Sequence, residues 1–239
     1  MLIVDAHVPL GKFRESRING DADFLMQAAD KLGIDKLCVS SYEGIAYDFR
    51  TGNQDVAEAT KRFNGRIFGY VVVNPRFGEQ AAEEVRKYVK VHDFRGIKLY
   101  YPSSGDPDVH RIFEEAIKLD VPLKIHAEIE DISQLADRFP RATIILCHMG
   151  GAGDWVSGIR LAKLRDNIIL DTTSTVTDSG MVEEAVDAVG PERVVYGSDM
   201  PLLNPVSQLA KVRTADIDEE SKRLILGQNI ARILKLEKK

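Results

Sequence analysis

The segment RGIKLYYPSSGDPDVHRIFEEAIKLDVPLKIHA (95–127) places one amphipathic stretch between two short apolar runs. The runs RGIKLYY and VPLKIHA are rich in Val, Ile and Leu and are interpreted as strands, whereas PDVHRIFEEAIKLD has the charged face of a helix. The order strand, helix, strand is typical of a parallel pair joined by a helical crossover. Strands with so little polar outer face favour a parallel sheet that helices cover.

The same strand-then-helix unit recurs along the whole chain. Eight short apolar runs are interpreted as strands, each followed by a helix, at about 30 residues per unit. Eight such units in 239 residues predict an α/β protein with a single (β/α)8 TIM-barrel domain over residues 1–239. A doubly wound open sheet is the alternative, and it is weakened because no glycine-rich phosphate loop opens the first helix. The eight runs are LIVDAH, DKLCVSS, RIFGYVVVN, RGIKLYY, VPLKIHA, ATIILCH, NIILDTT and RVVYGSD.

Composition restricts the classes of partner. With 44% hydrophobic and 29% charged residues the chain suits a globular fold, and its net charge of -5 without a basic stripe disfavours a nucleic-acid partner. No uncharged apolar run approaches the roughly 20 residues of a membrane helix, and the start of the chain lacks the pattern of a signal peptide. Cys38 and Cys147 lie in apolar runs and are expected to be buried free thiols. We expect a cytoplasmic protein with a small-molecule substrate and no membrane partner, and a homo-oligomer is compatible with these features.

Ionisable residues stand at the carboxyl ends of five predicted strands: His7, Lys98, His126, His148 and Asp199. In a barrel those ends converge on one face, where active sites form. Burying such groups without partners costs roughly several kcal/mol each, which favours a function for them. Histidine and carboxylate side chains are the usual ligands of catalytic zinc. The pattern therefore predicts an active site on this face.

These segments, taken in order, resemble the amidohydrolase superfamily and within it the amidohydrolase-related branch. That branch includes aminocarboxymuconate-semialdehyde decarboxylase-like and 2-pyrone-4,6-dicarboxylate lactonase-like enzymes. Each segment is a weak signal by itself, whereas the ordered set indicates the barrel strongly. The matching segments are VDAHVPLG for the first strand, RGIKLYYP for the fourth, VPLKIHAE for the fifth, FPRATIILCHMGG for the sixth, DNIILDTTS for the seventh, VVYGSDMPL for the eighth and LILGQNIARIL for the closing helix.

The resemblance implies a mononuclear metal site. In such members two first-strand histidines, the fifth-strand histidine and the eighth-strand aspartate hold one divalent metal, which lowers the pKa of a bound water. Carried over, His7, His126 and Asp199 are the expected metal ligands, with zinc as the expected metal. Asp199 is also the expected general base, and His148 is expected to polarise the substrate or orient the water. The implied activity is a metal-dependent hydrolase acting on a small ester, lactone or amide.

Two positions depart from the family pattern. The first-strand motif His-x-His reads His7-Val8-Pro9, so a proline replaces one ligand, and Tyr100 stands where the family often has histidine. Three protein ligands plus water still make a catalytic zinc site. Lactonase-like members work without a metal. The open alternatives are decarboxylation of a small unsaturated or aromatic acid, a metal-free lactonase, and a non-catalytic barrel that binds a ligand.

Substrate contacts are expected from a strand end and a loop. Lys98 and Tyr100 alternate onto one face of their strand, where Lys98 could meet a substrate carboxylate. The loop SSYEGIAYDFRTGN (40–53) presents Arg50 among aromatic residues. Arginine beside aromatic rings suits a small anionic or ring-bearing acid, so Lys98, Tyr100 and Arg50 are the predicted substrate-binding residues.

A structural ion pair is expected below the site. Strand alternation places Lys124 on the face of His126 but deeper in the barrel, where a lysine must pair or shift its pKa. The same alternation places Asp5, His7 and Pro9 in one row, and Asp5 is the predicted partner of Lys124.

Overall fold

The structure, a computed structural model, describes residues 1–13, 18–150, 154–176 and 178–236. Gly151, the last residue of the FPRATIILCHMGG segment, lies outside these ranges. The strands of the described part are Val4–Lys12 (β1), Asn19–Gly20 (β2), Lys36–Ser41 (β3), Ile67–Val72 (β4), Gly96–Tyr100 (β5), Leu123–His126 (β6), Ile144–Leu146 (β7), Ile168–Asp171 (β8) and Val194–Val195 (β9).

Eight of these strands form a parallel sheet that curls until its first and last members meet. The hydrogen-bonded order is β2-β1-β3-β4-β5-β6-β7-β8-β9, and the short β2 runs antiparallel to the end of β1. The backbone of Ala6 donates to the carbonyl of Tyr196 at 2.9 Å, and Asp199 donates to the carbonyl of His7 at 2.8 Å. These bonds join the first strand to the segment after β9. The predicted barrel is confirmed, and the open-sheet alternative is wrong.

At least one helix follows each parallel strand and covers the outside of the sheet. Within the described ranges, no helix combines the length and the apolar character needed to cross a bilayer. The helices are Ala22–Leu32 (α1), Tyr42–Ala46 (α2), Phe49–Arg62 (α3), Glu79–Val91 (α4), Pro107–Leu119 (α5), Ile129–Arg138 (α6), Trp155–Leu164 (α7), Met181–Val189 (α8), Pro205–Arg213 (α9), Glu219–Arg223 (α10) and Asn229–Ile233 (α11).

The 95–127 segment shows why these elements form where they do. Helix α5 begins after Asp106, whose side chain accepts a hydrogen bond from a first-turn amide, and Pro107 stands at its first position. It ends where Asp120 adopts a left-handed conformation. Strands β5 and β6 then pair so that Tyr100 lies beside His126. The buried residues of the helix are Val109, Ile112, Phe113, Glu115 and Ala116.

Strand β1 departs from strict alternation. Asp5 pairs with Leu37 but Val8 pairs with Val39, so the register with β3 shifts between Asp5 and Val8. Such an irregularity places one extra residue in a strand and redirects the side chains that follow it. The prediction that Asp5, His7 and Pro9 form one regular row is therefore wrong.

Candidate active site

Four of the predicted strand-end residues meet at the carboxyl end of the barrel. The ring centroids of His7 and His148 are 4.9 Å apart, and those of His148 and His126 are 4.8 Å apart. The Nε2 atom of His7 lies 3.7 Å from Oδ1 of Asp199. The structure thus brings three imidazoles and one carboxylate into a single group, the histidine cluster: His7, His126, His148 and Asp199.

Two members of the histidine cluster are held in an unusual backbone conformation. His148 has φ of 58° and Asp199 has φ of 56°, a region that costs a residue with a side chain roughly 1–3 kcal/mol. The turn that carries His148 packs tightly on α7, because a Cβ added to Gly158 would fall only 1.5 Å from the Met149 carbonyl oxygen. Glycine at position 158 is what lets this turn lie against the helix.

Asp171, at the end of β8, fixes the ring of His7 by a hydrogen bond. Its Oδ2 accepts hydrogen bonds from Nδ1 of His7 and from Nζ of Lys124, both at 2.7 Å. Its Oδ1 accepts from the amide and the hydroxyl of Thr173, at 3.0 and 2.7 Å. Burial alone would raise the pKa of Asp171, but Lys124 and His7 hold it well below its usual range. Because Asp171 is ionised, Nδ1 of His7 donates the proton and Nε2 directs its lone pair toward Asp199.

Asp171 was not among the site residues predicted from the sequence. The residue ends the apolar run of NIILDTT in the same way that His126 and His148 end theirs. That shared position was the available signal. The predicted partner of Lys124 was also wrong: Lys124 pairs with Asp171 and not with Asp5. The Asp5 carboxylate instead accepts from the backbone amides of His7, at 3.0 Å, and Ser198, at 2.9 Å.

Lys98 lies inside the barrel beside the histidine cluster. It is 2% exposed, and its Nζ donates to Sγ of Cys147 at 3.0 Å. Cys38 and Cys147 are both buried free thiols, as predicted. The contact of Lys98 with a substrate carboxylate remains a prediction.

Burial and nearby charge set the protonation of the cluster. Burial lowers the pKa of His126 to about 4 and that of His148 to about 3, with Lys98 adding to the effect in each case. Burial raises the pKa of Asp199 to about 7, although Lys98 and Lys124 oppose the shift. Near neutral pH the imidazoles therefore keep free lone pairs, and Asp199 exchanges a proton readily.

Two sets of side chains are candidates for holding a metal ion. The ligand atoms of His7, Cys147 and Asp171 lie within 4.8 Å of one another. However, Lys98 donates to Cys147 and Lys124 donates to Asp171, so two ammonium groups already occupy the positions a cation would need.

The predicted ligand set fits a divalent metal better. Within the described residues, no hydrogen bond engages Nε2 of His7, the ring of His126 or the carboxylate of Asp199. These neutral imidazoles and one carboxylate form the donor set that zinc and manganese accept. Pro9 adds no ligand atom, so water would complete the coordination of an ion held here.

The structure separates the predicted substrate-binding residues. The ring of Tyr100 lies 4.7 Å from that of His126, at the edge of the histidine cluster. Arg50 lies instead in the first turn of α3, where its guanidinium donates to Gln80 at 2.6 Å and lies over the ring of Phe77 at 5.5 Å. No described contact joins Arg50 to the cluster.

Comparisons with known proteins agree with this architecture. Residues 5–236 match the family model described as amidohydrolase. The structure of 2,6-dihydroxybenzoate decarboxylase from Rhizobium has a TM-score of 0.81 at 18% identity and covers 98% of this chain and 99% of that one. A dihydroxybenzoic acid decarboxylase from Polaromonas sp. JS666, with bound manganese and the inhibitor 2-nitroresorcinol, has a TM-score of 0.83 at 16% identity, covering 100% and 98%. The 4-oxalomesaconate hydratase of Rhodopseudomonas palustris has a TM-score of 0.76 at 16% identity, covering 98% and 96%. At these identities the likeness shows the fold, and the family match, which spans nearly the whole sequence, shows that the chain belongs to the amidohydrolase family.

Proposed function

We propose that the protein is a metal-dependent hydrolase that acts on a small ester, lactone or amide bearing an anionic group. The observation that carries this proposal is the facing pair of His7 Nε2 and the Asp199 carboxylate, 3.7 Å apart beside two neutral histidines. A lone-pair donor and a carboxylate that can accept a proton meet there, as hydrolysis by an activated water requires.

His7, His126 and Asp199 would hold the metal, which would lower the pKa of a water molecule so that it can attack near neutral pH. Manganese in the Polaromonas decarboxylase supports a divalent ion, and zinc is the ion that the sequence favours. Asp171 fixes the ring of His7 so that Nε2 stays directed at the site. The side chains therefore form a site in which the ligands are already oriented.

Asp199 and His148 take the proton-handling roles. The carboxylate of Asp199, which faces Nε2 of His7 across 3.7 Å, would accept a proton from water and return it to a leaving group. The Nδ1 atom of His148 lies 3.2 Å from the carbonyl of Thr173, which can only accept a hydrogen bond. The Nε2 atom of His148 is then an acceptor, which suits the holding of a water or a substrate hydroxyl.

Decarboxylation of a small aromatic or unsaturated acid is the second candidate. Decarboxylation replaces a carboxylate with hydrogen, and Asp199, in contact with His7 at the carboxyl end of the barrel, would be the residue that transfers the proton to the substrate carbon. The dihydroxybenzoate decarboxylases of Rhizobium and Polaromonas, which share this fold, support this candidate.

One assay separates these readings. The protein loaded with zinc or manganese is incubated with aryl esters and lactones and, separately, with hydroxybenzoates, and released acid and carbon dioxide are measured. We expect acid release that disappears in Asp199→Asn and persists in Asp166→Asn, because Asp166 is fully exposed. Carbon dioxide release without ester cleavage would establish the second candidate. Equal hydrolysis by chelator-treated protein would establish a metal-free lactonase, and inactivity on every substrate would favour a ligand-binding barrel.

A further inference from the structure

A cavity of about 230 Å³ opens beside the histidine cluster. It lies between the turn that follows β4, the end of β5, the start of α5 and helix α2. We call it the tyrosine cavity. Its walls include Asn74, Arg76, Tyr100, Tyr101 and Asp106.

Two tyrosines connect the tyrosine cavity to the histidine cluster. Tyr100 is 51% exposed and Tyr101 is 52% exposed, and their rings meet edge to face at 4.8 Å. The same rings lie 4.7 and 5.0 Å from the ring of His126. Tyr101 has φ of 47°, and its amide donates to the carbonyl of His126 at 2.7 Å. A bulky side chain kept in this conformation next to an active site points to a role for its ring.

Arg76 supplies an unpaired positive charge on another wall. The side chain of Asn74 accepts from the Arg76 amide at 3.1 Å, and Gly78 donates to the carbonyl of Pro75 at 2.7 Å, so the turn is well anchored. Among the described residues, no hydrogen bond or ion pair engages the guanidinium of Arg76. Arg50, by contrast, is already bound to Gln80. A free guanidinium over a cavity is suited to a carboxylate, which it can bind with two hydrogen bonds.

The acidic residue in the wall does not neutralise this charge. Asp106 uses Oδ1 to accept from the amide of Asp108 at 2.9 Å, and it stands at the start of α5, where a helix favours negative charge.

The size of the cavity also limits its occupant. A cavity of about 150 Å³ holds benzene, so 230 Å³ accommodates one ring with a carboxylate but little more.

We propose that the tyrosine cavity is a second subsite, which binds the end of the substrate that does not react. A flat aromatic or conjugated group would lie against Tyr100 and Tyr101, and its carboxylate would pair with Arg76. This inference rests on the proposed function for the reacting end, because the two tyrosines join the cavity to His126. It assigns recognition of the anionic group to Arg76 in place of Arg50.

The test uses binding, measured without turnover. Chelator-treated protein is titrated with benzoate and with its neutral analogue benzamide by NMR or calorimetry. We expect benzoate to bind more tightly than benzamide. Arg76→Met should weaken benzoate about tenfold, as the loss of one good ion pair predicts, and should leave benzamide unchanged. The control is Arg141→Met, which removes the same charge from an exposed turn that precedes the strand β7. Thermal unfolding verifies that both variants are folded.

Three results would overturn the subsite. They are an unchanged benzoate affinity in Arg76→Met, a loss in Arg50→Met instead, and no saturable binding of benzoate. The proposed function fails separately. If the subsite binds benzoate through Arg76 while the metal-loaded protein cleaves no ester, lactone or amide, the subsite stands and the hydrolase proposal falls.

Discussion

Breaking the buried pair of Lys124 and Asp171 is expected to cost more stability than removing the pair altogether. Lys124 is 1% exposed and Asp171 is fully buried, and their charged atoms are 2.7 Å apart. At an effective dielectric of about 20, two unit charges at that separation attract by about 6 kcal/mol. The cost of burying both ions offsets much of this attraction. An uncompensated buried charge left by removing one partner typically costs about 3–5 kcal/mol.

Lys124→Met should therefore lower the free energy of unfolding by about 3–5 kcal/mol. For a chain of this length that corresponds to a fall in Tm of about 10 °C. Asp171→Asn should have a similar effect, because it leaves the Lys124 ammonium without its counter-ion. The double variant should lose much less than the sum of the two, because it buries no unpaired charge. Urea unfolding of the four proteins at neutral pH gives the coupling free energy directly.

The pH dependence supplies an internal control. The pKa of Asp171 is held well below its usual range, so the stabilisation it gives is present above about pH 4 and is lost as the pH falls through the folded-state value. The difference between the parent and Lys124→Met should therefore shrink in acid. Single losses that add to within about 0.5 kcal/mol in the double variant would refute the reasoning, since additivity means the two groups do not interact.

Three further outcomes are expected. Asp199→Asn should lower turnover at least about a hundredfold while urea unfolding stays close to that of the parent, because a carboxamide cannot take a proton; near-normal turnover would remove the general-base role. Pro9→His should tighten zinc binding in a chelator competition by restoring the missing ligand, and equal or tighter binding by the folded parent contradicts that account. Burial raises the pKa of Asp5 from 3.8 to about 7, so between these pH values the native state holds a proton that the unfolded chain releases. The free energy of unfolding should therefore fall by up to about 4 kcal/mol as the pH rises from 3.8 to about 7. Asp5→Asn should flatten that fall, and unfolding free energies of both proteins at pH 4, 5.5 and 7 check it.

The fold could be predicted from local sequence, because the strand and the helix of each barrel unit are indicated by the residues of that segment alone. An apolar run such as ATIILCH predicts a buried strand, and a stretch such as PDVHRIFEEAIKLD predicts a helix with one apolar face. Parallel strands in a barrel all end on the same side, so placing His126, His148 and Asp199 at strand ends already placed them on one face. Their contacts in the structure agree with that expectation.

The pairing of charges did not follow from local sequence. Lys124 pairs with Asp171, 47 residues away, because their strands curl toward each other across the barrel. Alternation along one strand cannot give that distance. It also fails in β1, where the register shift between Asp5 and Val8 interrupts the row. Asp171 was missed for a related reason, because its role appears only when the ring of His7 is found above it.

The sequence by itself determined the order of strands and helices, the face that carries the chemistry and the side chains that stand there. The periods of two and 3.6 residues and the common direction of parallel strands require no knowledge of distant contacts. Only the tertiary structure decided which nitrogen of His7 faces the site, which acid neutralises Lys124, and that Arg76 rather than Arg50 lines a cavity beside His126. These depend on how far the sheet curls and how loops pack over its end, and both are set by contacts between residues distant in the chain.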